Sequence, residues 1–137
     1  MGLVHAEIEL INAEDVGAAR RGFIKSQDVR RMTVNALVDS GAYMMVIPEH
    51  VRLQLGVEII EHSEAEYANG EIETVPVVGP IVIKFANRRT VADAMVLGNQ
   101  VLLGSIPMEA MDVVIHPRTQ TLMVNPENPT MPKMIVK

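Results

Sequence analysis

Cysteine is absent from the 137 residues, which excludes disulfides, thiolate metal sites and cysteine nucleophiles. Tryptophan is absent too, and only two tyrosines and two phenylalanines are present. Basic residues are in the minority, 12 against 17 acidic, for a formal net charge of -5. That balance gives no basic, aromatic-rich platform for nucleic acid. Long apolar runs are also missing. The longest stretch, Val75 to Ile83, is interrupted by Pro76, Gly79 and Pro80 and falls well below the ~18 residues needed to span a bilayer. Met1 to Asp15 is acidic, with no positive region ahead of an apolar one, so it does not read as a signal peptide. Met1-Gly2 would suit N-acylation, but Ala6 stands where that pattern wants a hydroxyl. The expectation is a soluble, cytoplasmic chain with no membrane and no nucleic-acid partner.

What is present describes a folded chain. Apolar residues make up 48% and charged residues 21%, a globular balance. The length suits one domain, residues 1–137. Nine glycines and eight prolines imply many turns. Val4, Ala6, Ile8 and Leu10 alternate with polar residues, the period of a half-buried strand. Residues 12–22 are small and polar and read as a loop. Arg30 to Val38 predicts a strand that Asp39-Ser40-Gly41 breaks, and Tyr43 to Ile47 predicts another. Pro48 opens a short helix through Leu55, and Gly56 closes it. Val57 to Ile60 reads as a strand, and Ala65 to Val75 as a hairpin around Asn69-Gly70. Ile81 to Phe85 and Val91 to Leu97 are strands joined near Asn87. Val101 to Gly104 is a short buried strand, and Ser105 would cap a helix running to Met111. A last hairpin joins Val113–Ile115 to Thr121–Val124, followed by a proline-rich arm and the apolar tail Met134 to Val136. Many short strands and two short helices make the class mainly β.

The chemistry concentrates in Ala36-Leu37-Val38-Asp39-Ser40-Gly41-Ala42. Asp-Ser-Gly alone is a common turn. An aspartate closing an apolar strand is different, because its charge is costly there unless hydrogen-bonded or paired. A serine-hydrolase reading of Ser40 fails, since Val38 stands where the nucleophile elbow needs glycine. His5, His50, His62 and His116 lack metal-ligand spacing, so no metal is expected. The ten methionines read mainly as core filler, with a minority lining pockets. The acids Glu58, Glu61, Glu64, Glu66, Glu71 and Glu73 read as a solvated face or as a preference for basic peptides.

The segment around Asp39 resembles the active-site motif of retropepsin-like (clan AA) aspartic proteases: apolar-apolar-Asp-Ser/Thr-Gly-Ala. Leu102-Leu103-Gly104 is similar to that family's apolar-apolar-Gly strand, with Ile106 to Met111 as the helix after it. Asn69-Gly70 lies about 30 residues beyond Asp39, where the family has its flap. The Met1 start and short length look like small stand-alone prokaryotic members. Ser40 replaces the commoner threonine, and Ser105 stands where viral members often carry an arginine that helps hold their dimer.

The resemblance implies a closed β-barrel of the acid protease fold with one or two short helices, active as a twofold homodimer. It implies an endopeptidase acting on peptide or protein substrates without a cofactor. Asp39 would be catalytic, with Ser40, Gly41 and Ala42 supporting it. Tyr67, Ala68, Asn69 and Gly70 would form the flap, and Leu102, Leu103 and Gly104 the buried strand under the site. Asp15, Asp28, Asp93 and Asp112 are not followed by a hydroxyl and glycine, so one chain carries one motif. A pair of carboxylates would then need a second copy. The chain ends, Val4 to Leu10 and Met134 to Val136, would knit the two copies.

A two-residue turn at Asn69-Gly70 would pair Ala68 with Glu71, Tyr67 with Ile72, Glu66 with Glu73 and Ala65 with Thr74. Ala65, Tyr67, Ile72 and Thr74 would then share the peptide-covering face. The Glu66–Glu73 repulsion predicts a mobile flap. Two alternatives stand beside this reading: a non-catalytic dimerisation or peptide-binding module with the same fold, and a different small β-barrel with Asp39 in a turn.

Overall fold

The computed structural model describes residues 3–136. Met1 and Gly2, weighed above for acylation, lie outside them. Nine strands and three short helices follow in order: β1 (His5–Asn12), α1 (Ala13–Arg20), β2 (Arg31–Val38), β3 (Met45–Ile47), α2 (Glu49–Leu55), β4 (Glu58–Glu66), β5 (Ile72–Phe85), β6 (Arg88–Val96), β7 (Leu102–Leu103), α3 (Ser105–Met111), β8 (Val113–His116) and β9 (Thr121–Val124). A 3-10 turn, Ser26–Asp28, precedes β2.

Seven strands form one sheet in the order β1-β2-β7-β3-β6-β5-β4, and β1 also pairs with β5. That last pairing, Glu9 to Asn12 against Lys84 to Ile81, closes the sheet into a barrel. The expected alternation in β1 is present: Val4, Ala6, Ile8 and Leu10 are buried and point into the core. Met45, Ile47, Ile81, Ile83, Leu103 and Met111 meet them there. With so few aromatics, aliphatic and thioether side chains fill the barrel. β1 makes its hydrogen bonds to β2 and β5 of its own chain. Within the chain, His5 to Ile11 pairs with β2 along one edge, and Glu9 to Asn12 pairs with β5 along the other. Met134, Ile135 and Val136 are exposed.

Five local expectations change. Residues 12–22 hold a helix rather than a loop. Asn12 caps α1 by accepting from the Asp15 N–H at 3.0 Å. The one buried residue in α1 is Asp15. Its carboxylate accepts from Arg30 Nε at 2.8 Å, Nη2 at 3.0 Å and the Arg30 backbone N–H at 3.0 Å. The Arg30 side chain first, with its backbone N–H and positive charge, holds the Asp15 carboxyl below the ordinary carboxylate range against the opposing effect of burial. With α1, the helices number three rather than one or two. Ser105 is the first residue of α3 and does not cap it; Gly104 occupies the cap position without a side chain to offer.

The segments Val57–Ile60 and Ala65–Val75 are not separate elements, because β4 runs unbroken from Glu58 to Glu66. Likewise, β5 runs for 14 residues through Pro76, Gly79 and Pro80. A register shift between Val78 and Ile81 takes up the irregularity. By contrast, α2 ends as expected, with Gly56 in the left-handed region at φ 68°.

Candidate active site

β2 delivers Asp39 to its position. β7 lies parallel to the end of β2, with Leu37 opposite Leu102 and Val38 opposite Leu103. One step further, the Asp39 N–H donates to the Leu103 carbonyl at 3.0 Å. The chain then turns, with the Ala42 N–H donating to the Asp39 carbonyl at 3.1 Å. The Gly41 N–H donates to Asp39 Oδ1 at 2.9 Å, an aspartate-led turn that fixes the carboxylate against the backbone. A Cβ at residue 41 would lie 3.2 Å from that same oxygen. Asp39 is half-buried, while Ser40 and Gly41 are exposed.

α3 locks this turn from behind. The first N–H groups of a helix have no partner within it. Here the Ser105 N–H donates to the Ala42 carbonyl at 2.7 Å, and the Ile106 N–H to the Tyr43 carbonyl at 3.1 Å. The approach is close enough that a Cβ at residue 104 would lie 2.7 Å from the Tyr43 carbonyl oxygen and nearer still to that of Met44. Only glycine fits at Gly104 without moving backbone. The segments Ala36–Ala42 and Leu102–Gly104, far apart in sequence, thus form one hydrogen-bonded unit. Leu103 and Gly104 are buried beneath it, and Leu102 is half-buried.

The β4–β5 hairpin stands across from this unit, in a different register from the one expected. Glu66 pairs with Ile72, Ala65 with Glu73 and Glu64 with Thr74. The Gly70 N–H donates to the Tyr67 carbonyl at 2.9 Å and the Tyr67 N–H to the Glu71 carbonyl at 2.8 Å. Gly70 takes φ 87°. This is the three-residue hairpin loop that ends in a left-handed glycine, not the two-residue turn. Two corrections follow. Glu66 does not oppose Glu73, and Ala65 and Tyr67 share their face with Glu71 and Glu73 rather than with Ile72 and Thr74. The Tyr67 hydroxyl donates to Glu73 Oε1 across that face. This hydrogen bond, ahead of burial and the charges of Glu73 and Glu71, raises the Tyr67 hydroxyl above its ordinary pKa.

A groove of about 370 Å³ lies between hairpin and turn. Gly41, Ala42, Tyr43 and Met44 line one side, and Ser63 through Tyr67 the other. Val46, Met95 and Leu97 are also in its wall. Of the expected site residues, the groove brings together Gly41, Ala42 and Tyr67. Asp39 and Ser40 adjoin it through Gly41, and Ala68, Asn69 and Gly70 form the hairpin tip beyond it. Asn69 Oδ1 accepts from the Glu71 N–H at 2.9 Å and shapes that tip. Sequence reasoning did not find Met44, Val46, Ser63, Met95 or Leu97 as lining residues. The only available signal was the abundance of methionine, and it divides: Met44 and Met95 line the groove, while Met45 and Met111 are wholly buried.

β4 is the last strand of its sheet, so one of its edges has no strand partner among the described residues. Five consecutive residues of that strand and its turn line the groove, which means the edge itself faces it. Two other aspartates are engaged elsewhere. Asp15 pairs with Arg30. Asp112 accepts from the Asn125 side chain at 3.0 Å, the Asn128 side chain at 2.8 Å and the Lys133 N–H at 3.0 Å. No group of three or more histidine, aspartate or glutamate side chains among the described residues could hold a metal. No helix there is long and apolar enough to cross a membrane.

No family model matches the chain. No curated protein matches it either. Solved structures do. The chain is similar to the crystal structure of the retroviral protease-like domain of Ddi1 from Leishmania major, with a TM-score of 0.50 and 15% identity over 69% of this chain and 81% of that one. The fold is retropepsin-like. At 15% identity the likeness is one of fold.

Proposed function

We propose that the chain is an aspartic endopeptidase that works as a twofold homodimer, each copy contributing one Asp39. The observation that carries this reading is the placement of Asp39. It closes a core strand, its N–H is held by Leu103, its carboxylate is held by the Gly41 N–H, and its turn borders a groove with a free strand edge. An ordinary surface turn needs none of this.

Two carboxylates about 3 Å apart cannot both ionise cheaply, so such a pair holds one proton. The charged member takes a proton from a water that attacks the peptide carbonyl. The neutral member donates to the carbonyl oxygen. The apparent pKa values belong to the pair, not to either residue. The Gly41 N–H on Oδ1 fixes the carboxylate's rotamer, which would help align it with the partner's Asp39. Ser40 would reach across to the partner's turn, and Gly41 and Ala42 leave room for the two turns to meet. The β4 edge would take an extended peptide by adding it as a strand, with Tyr67 and the tip Ala68-Asn69-Gly70 closing over it.

Asp39→Asn tests the reading. Peptide cleavage should fall at least about a thousandfold, because a neutral amide can neither share the proton nor activate water. Sedimentation should show the same dimer as the wild type. Retained cleavage would end the catalytic proposal. The β4 edge also suits a non-catalytic peptide-binding module of the same fold. That reading holds if wild-type protein binds peptides but cuts none.

A further inference from the structure

Building on the groove as the peptide site, we infer that it selects a long cationic side chain, lysine or arginine, on the bound peptide. The six glutamates between residues 58 and 73 do not form one face in the folded chain. Glu64 and Glu66 line the groove, whereas Glu58, Glu61, Glu71 and Glu73 do not. Among the described residues, these two are the only charged ones that line it. No lysine, arginine or histidine among the described residues lines it. The rest of the lining is mostly apolar and includes two methionines, Met44 and Met95, which adapt to an unbranched chain.

The groove thus offers apolar surface together with two exposed acidic residues, Glu64 and Glu66. Lysine and arginine match that combination, with a stem of methylenes and a terminal cation. Leucine would fill the apolar part and leave the carboxylates to water. Glutamate would add a third negative charge where no cation can receive it. The inference needs the groove to bind peptide. It does not need Asp39 to cut it.

The test uses a decapeptide library in which one central position is varied among lysine, arginine, methionine, leucine and glutamate. Cleavage by wild-type protein and capture by immobilised Asp39→Asn protein are read separately. Lysine and arginine should be enriched over glutamate in both. The double variant Glu64→Gln/Glu66→Gln should reduce the enrichment about five- to tenfold. Glu58→Gln/Glu61→Gln, with the same change in net charge on the same strand, should leave it unchanged. Loss of preference in both double variants, or no preference in the capture experiment, overturns the inference. Capture of basic peptides without any cleavage supports the inference while overturning the catalytic reading.

Discussion

The turn at Asp39 and the hairpin opposite it face the same groove but are built by opposite means. The turn is over-determined. Its backbone bonds to β7 and to the first turn of α3, and Gly41 and Gly104 stand where a Cβ would crowd or collide. The hairpin is under-determined. Most of its side chains between residues 58 and 74 are exposed, no strand among the described residues pairs with its outer edge, and a Cβ at Gly70 would meet nothing within 4 Å. A rigid floor and a loosely held cover are what a site needs when it must align reacting groups yet admit a chain.

The contrast can be broken first at Gly104. Gly104→Ala forces two backbone segments apart and should lower unfolding free energy by about 3 kcal/mol or more, read by urea titration. A loss below about 1 kcal/mol would mean the floor is more pliable than its contacts indicate. Asp15 offers an intermediate test where α1 is tied to the start of β2. Its folded pKa is depressed, so its contribution to stability is present above the ordinary carboxylate value and is lost as pH falls through the lower folded value. Asp15→Asn should cost about 1–2 kcal/mol near neutrality, discounted because Arg30 is half exposed, and should flatten the decline in stability below about pH 4. The smallest effect belongs to the cover. Gly70→Ala introduces strain at a left-handed position and should cost no more than about 1 kcal/mol. Amide exchange at residues 66–73 should be fast in both proteins. Slow exchange there in the wild type would erase the contrast.

The same division decides what could be read from sequence. The helix from Glu49 to Leu55 was legible because Pro48 and Gly56 mark its ends chemically. The core strand before Asp39 was legible because alternation and apolar content both signal burial. Helix α1 was not. Its inner side consists of Ala13, Val16 and Ala19, too small to make an apolar stripe, and Asp15 anchors it through an arginine 15 residues away. The hairpin was legible as a hairpin, yet its register was not. Asn-Gly serves both two- and three-residue loops. A buried face normally decides between them, since a one-residue slip turns every core side chain outward. Near its tip this hairpin has no buried face, so the apolar pattern carries no vote. The Asp39 turn was legible as a motif. Its groove partners were not, because Met95 and Leu97 come to it through the long-range pairings of β6 with β3 and β5.

The unbroken run of β5 has a mechanical result. Its first half belongs to the hairpin, and its second half is gripped between β1 and β6 where the barrel closes. The cover is therefore an overhang of the strand that closes the barrel, with the register shift around Gly79 and Pro80 lying between its free and its gripped halves. Tip and seam are thus parts of one strand, and a substitution that loosens the seam is expected to raise amide exchange at the tip as well.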